Sequence, residues 1–141
     1  YSVAFMFFFG EEAGLLGSKH YANYPMFPLE KIKFGINLDM IATGDDGMTV
    51  VNGGVPDYAE EWKLIDDINK ENNYFSTINQ RGSAANSDHH SFNEKGVKAI
   101  FIYTMGGKTY YHTTKAKFET LTFAGYENLF RLLTKFVERY E

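Results

Sequence analysis

The first apolar block, Val3 to Phe9, runs for seven residues without a polar interruption and stops at Gly10-Glu11-Glu12. A run of that length, rich in Phe and free of alternation, predicts a central strand buried on both faces. A different rhythm follows. Gly14 to Asn23 reads as a short helix burying Leu15, Leu16 and Tyr21, and Pro25 and Pro28 close it. Lys31 to Ile41 then alternates strictly, with Ile32, Phe34, Ile36, Leu38 and Met40 on one face of a second strand. Asn37 and Asp39 fall on its other face, near the carboxyl end.

Thr43 to Gly47 is a turn cluster and Met48 to Asn52 a brief strand. A helix starts at Pro56-Asp57, with Asp57 as expected cap, Glu60 as its reciprocal partner, and Tyr58, Trp62, Ile65 and Ile68 on one face. Phe75 to Gln80 predicts another strand, and Arg81 to Asn86 a polar loop. Ser87 to Lys95 predicts a short helix ended by Gly96, and Val97 to Tyr103 a further strand. After a loop from Thr104 to Lys117 comes the clearest helical stripe: Tyr126, Leu129, Phe130, Leu133, Phe136, Val137 and Tyr140, expected as core. Strands alternating with helices predict an α/β three-layer sandwich, with a mixed, mostly parallel central sheet flanked by helices.

Composition narrows this only in places. At 141 residues the chain suggests one domain. A net charge of -4 argues against a nucleic-acid partner, which needs a basic face. No stretch approaches the length of a membrane span. With no cysteine, any metal must be held by His, Asp and Glu.

That restriction matters because strand ends carry such residues: Glu11 and Glu12 after the first run, Asp39 after the second, and His112 on the loop after the last. In open α/β sheets, ligands collect beyond the carboxyl ends of strands. Two adjacent carboxylates there repel unless one is neutralised or a cation lies between them. An N/O set of this kind suits catalytic zinc. Each residue alone also has a plainer reading, as a helix cap or a solvated loop residue.

Gly10-Glu11-Glu12-Ala13-Gly14-Leu15-Leu16-Gly17-Ser18 resembles the signature of the zinc aminopeptidases of metallopeptidase family twenty-eight. So do Asn37-Leu38-Asp39-Met40, Ser87-Asp88-His89-His90-Ser91-Phe92 and Tyr111-His112-Thr113, in the family's order across nearly the whole chain. The resemblance implies hydrolysis of N-terminal residues from peptides at a pair of zinc ions. Glu11 would be the general base, Glu12 and His112 ligands of one ion, and Asp39 a ligand of the other. Ser87 and Asp88 are expected to orient a ligand or bound water, Ser87 having a helix cap as its equal alternative. Tyr111 is expected to line the pocket.

The resemblance also implies what is missing. The family's His-x-Asp segment and a later Asp-bearing segment precede the Glu-Glu strand. The ten residues before Glu11 contain neither His nor Asp. The chain is therefore expected to be the C-terminal portion of a catalytic domain, with partial or no zinc occupancy, inactive alone, and lacking its N-terminal half as partner. An uncovered Val3 to Phe9 strand predicts self-association. Ala116 stands where the family usually has Asp. Two other readings are a glutaminyl-peptide cyclotransferase, sharing the Gly-Glu-Glu-Ala motif, and a catalytically dead binding module. Family members are often exported, and an exported or periplasmic location rests on the resemblance alone.

Overall fold

A computed structural model describes residues 2–107 and 110–140. Lys108 and Thr109, inside the loop expected from Thr104 to Lys117, lie outside the described residues. The elements are α1 (Leu16–Asn23), β1 (Gly35–Leu38), β2 (Gly47–Val51), α2 (Ala59–Asn72), β3 (Ile78–Arg81), α3 (His89–Asn93), β4 (Ala99–Met105) and α4 (Tyr126–Arg139). Short 3-10 turns lie at Leu29–Lys31, Pro56–Tyr58 and Phe118–Thr120. The strands form one mixed, mostly parallel sheet in the order β1-β4-β2-β3, flanked by helices, as expected. β2 and β3 run parallel, with Met48 beside Ile78 and Val51 beside Arg81. Two compact units divide the chain: Tyr1–Asn37 with Ala84–Phe101, and Leu38–Ser83 with Ile102–Glu141.

In the first unit, the Val3 to Phe9 run is not the doubly buried strand that its composition predicts. No residue from 2 to 8 belongs to a strand. Met6 and Phe8 pack against the cluster of Phe92, Val97 and Ala99, whereas Phe5, Phe7 and Phe9 are 83%, 93% and 71% exposed. The segment is covered on one side only, by a layer in which Phe8, Tyr21 and Phe92 meet ring to ring at about 6 Å. α1 crosses the end of this segment closely. A Cβ on Gly17 would lie 2.7 Å from both N and O of Phe9, so glycine is what permits the approach. Small residues, Gly17, Ser18 and Ala22, form the buried face of α1, and Leu16, expected inside, is turned outward. Ser18 Oγ and Ser91 Oγ, 2.9 Å apart, join α1 to α3 by a buried hydrogen bond.

β1 is shorter than the alternation predicts at both ends: the 3-10 turn at Leu29–Lys31 takes Lys31, and residues 32–34 and 39–41 also lie outside the strand. Gly35 sits so close to β4 that a Cβ there would meet Ala99 Cβ at 3.0 Å.

In the second unit β2 is buried throughout, and so are Ile65 and Ile68 of α2 and Leu129, Leu132 and Phe136 of α4, two helices that pack on each other. The stripe on α4 is narrower than expected: Tyr126, Phe130 and Val137 stay exposed, and Leu132 rather than Leu133 is buried. The i, i+3, i+7 row of Leu129, Leu132 and Phe136 centres the contact and leaves residues one position away at its margin. The expected cap at Asp57 does not form. Residues Pro56–Tyr58 make a 3-10 turn, and α2 starts behind Tyr58 without a side-chain cap. Its other end is as predicted: Asn73 adopts φ 54 and its N–H bonds Asn69 O. β3 begins later than predicted because Phe75 is held by Asn69, whose side chain bonds both N–H and C=O of Phe75.

Candidate functional site

The Gly10 to Gly17 stretch is a pair of linked turns. Ala13 N–H and Leu16 N–H bond Gly10 O, and Gly14 N–H and Leu15 N–H both bond Glu11 O. Gly10 and Gly14 have φ of 67° and 102°, where a side chain would be strained, so the spacing of these glycines follows from the turn itself. Leu15 takes φ 62 as well, at the N-cap of α1. Glu11 is half-buried in this turn and Glu12 exposed.

Asp39, half-buried, follows β1 directly. Its N–H bonds Ile102 O at 3.3 Å, and the next residue, Met40, turns into φ 53. Thr104 holds that turn: its N–H and its hydroxyl both donate to Met40 O, at 3.2 and 3.0 Å. Thr104 Oγ1 also accepts Thr43 N–H at 3.2 Å. Nothing in the sequence pattern singled out Thr104, since a threonine just inside a predicted loop is ordinary.

His112 lies in an exposed turn, also at positive φ (55°), with its ring stacked on Tyr111 at 3.9 Å. Thr113 secures the turn by donating its hydroxyl to Tyr110 O at 2.7 Å. Tyr111 is 62% exposed and covers one face of the imidazole.

Ser87 is fully buried and does not cap α3 through its side chain. It accepts a 2.8 Å hydrogen bond from Asn37 Nδ2 on β1. In the sequence, Asn37 stood out as Asp39's companion on one strand face and as the first residue of the Asn37-Leu38-Asp39-Met40 segment, with no role of its own. Asp88 Oδ1 is buried without a hydrogen-bond partner among the described residues. His89, next in line, is 2% exposed and stacked on Phe101. Burial pushes its pKa from 6.5 down to about 4, and nearby His90 acts in the same direction. The carbonyls of Ala84 and Ser87 offset part of that shift without reaching full hydrogen-bonding geometry. His89 is thus a neutral core residue.

Asn37→Leu is expected to remove this hydrogen bond to Ser87 and lower stability by about 0.5–1.5 kcal/mol. Urea unfolding checks this: Asn37→Leu with Ser87→Ala should lose less than the sum of the two single variants, whereas full additivity would show that the bond carries nothing.

Among the described residues, no three or more His, Asp or Glu side chains come together to hold a metal ion. About three protein ligands per ion are normal for catalytic zinc. No helix among the described residues is long and apolar enough to cross a membrane.

The family model described as Peptidase family M28 matches residues 1–137. The chain belongs to this family. Within the M28 fold, the chain is similar to BSAP, a zinc aminopeptidase from Bacillus subtilis, at 25% identity and a TM-score of 0.73, covering 92% of this chain and 34% of that one. A leucine aminopeptidase precursor from Bacteroides thetaiotaomicron matches at 21% identity and a TM-score of 0.74, over 100% of this chain and 48% of that one. A glutaminyl cyclase from an Acidobacteriales bacterium shares the fold at 19% identity and a TM-score of 0.69, over 88% and 45%. This M28 chain therefore spans about a third to a half of the length of these solved relatives. No curated protein matches it in sequence.

Proposed function

We propose that this chain is part of a zinc-dependent aminopeptidase, an enzyme that removes N-terminal residues from peptides. The observation that carries the reading is the family match over residues 1–137, in which all four motif segments fall in order. Similarity at 25% identity to a solved zinc aminopeptidase supports it. Glu11 is proposed as the general base, taking a proton from the attacking water and passing it to the leaving amine. A half-buried carboxylate on a turn fixed by four backbone hydrogen bonds suits that task. Glu12, Asp39 and His112 are proposed as this chain's share of the metal ligands, with the rest supplied by polypeptide outside the 141 residues. Ser87 and Asp88 are proposed to orient neighbouring groups, and Tyr111 to line the substrate pocket beside His112.

The ligand shortage gives the test. The 141-residue chain alone is expected to bind zinc weakly in titration and to release little chromophore from aminoacyl chromogenic substrates. Cleavage by this chain at the rate of a longer family polypeptide would show that the ligand set has been misread.

A further inference from the structure

The turn after Asp39 runs on into residues 42–46, and both ends of the loop that carries Tyr111 and His112 are bonded to that segment. At the leading end, Met105 O accepts Gly44 N–H and Asp46 N–H at 3.0 and 3.1 Å. Gly106 then lies so near that a Cβ there would stand 2.7 Å from Asp46 N and 2.9 Å from Asp45 Cβ. At the trailing end, Phe123 N–H donates to Ala42 O at 3.0 Å and Gly125 N–H to Thr43 O at 2.9 Å. Backbone meets backbone there too, since a Cβ on Gly125 would lie 2.9 Å from Gly44 Cα. One side chain stands between the two ends. Asp45 Oδ2 accepts the Thr122 hydroxyl at 2.8 Å, and a Cβ on Gly107 would lie 3.7 Å from that same oxygen. All of these residues belong to the second unit.

We propose that Asp45 is a positioning residue: by holding Thr122 it seats the trailing end of the loop on the segment that follows Asp39, and so sets where Tyr111 and His112 stand relative to Asp39. The loop has little else to seat it. The N–H groups of Thr113, Ala116, Thr120 and Leu121 each bond a carbonyl three residues back, so these turns shape the loop without attaching it. Tyr111 and Phe118 are 62% and 74% exposed and add little burial. Segments with few buried apolar contacts open at a free energy close to zero. One hydrogen bond to a carboxylate then changes the fraction of time that the loop is seated. Residues carried on the loop act only while it is seated, and apparent affinity falls in proportion to that fraction. The effect on substrate rests on the peptidase reading, which uses Tyr111 and His112; the seating itself does not.

Two measurements on Thr122→Val, Asp45→Ala, their combination and Thr122→Ser test it. In the 141-residue chain, hydrogen exchange at the Phe123 and Gly125 amides is expected to be about threefold faster in Thr122→Val and in Asp45→Ala, with an unchanged urea midpoint. The combined variant should be no faster than either, and Thr122→Ser, which restores the hydroxyl, should match wild type. In the longest natural polypeptide containing this chain, KM for an aminoacyl chromogenic substrate should rise about threefold in the same variants and return in Thr122→Ser. Loss of folded protein would instead lower apparent kcat and leave KM alone. Unchanged exchange, or effects of the two substitutions that add, overturns the seating and with it the proposal. Faster exchange with KM unmoved overturns the positioning role and leaves the peptidase reading standing. A wild-type polypeptide that hydrolyses nothing removes the peptidase reading and the positioning role together, and the exchange rates then still decide the seating.

Discussion

Glu11→Gln, made in a hydrolytically competent polypeptide containing this chain, is expected to lower kcat by about 10²–10⁴-fold with KM little changed. The substitution keeps the length of the side chain and removes only its ability to accept a proton. The turn does not depend on the carboxylate, because it is the main-chain carbonyl of Glu11 that receives Gly14 N–H and Leu15 N–H. Fold and metal content should therefore match wild type, as read by thermal unfolding and metal analysis. Glu12→Gln should behave differently, losing metal along with activity. Comparable turnover in Glu11→Gln would remove Glu11 from the chemistry.

The second large effect concerns acid stability. His89 is neutral in the folded chain with a pKa of about 4, against 6.5 when unconstrained. The sign follows directly: between those values the unfolded chain binds a proton that the folded chain refuses, so stability falls as pH drops. The loss begins near pH 6.5, ends near pH 4 and amounts to on the order of 3 kcal/mol. His89→Phe, which keeps a ring against Phe101, should flatten that portion of the curve. Urea midpoints at several pH values in this window provide the check; parallel curves for wild type and variant would place the acid sensitivity elsewhere.

What could be read from the sequence depended on whether the signal was local. Helices α2 and α4 and strand β4 follow from patterns that their own residues carry, and Asn73 and Gly96 mark helix ends by the backbone they adopt, at φ 54 and 80. The Val3 to Phe9 run misled because both parities are apolar. Its composition describes a strand, while burial on its second side depends on what packs there, which no local pattern states. The turn around Glu11 was legible from its glycines. The turns at Met40 and His112 were not, because non-glycine residues at positive φ leave no mark in composition. Such strain, at or beside two proposed ligands, is characteristic of functional sites. The links from Asn37 to Ser87 and from Thr104 to Met40 join residues 50 and 64 positions apart and needed the fold to become visible.

The most direct measurement is the mass of the product formed from a peptide with N-terminal Gln, incubated with the longest natural polypeptide containing this chain. A peptidase shortens the peptide by one residue with uptake of water, and the account predicts that product, dependent on Glu11. A peptide of full length, lighter by one ammonia, would contradict it and assign the chain to cyclisation.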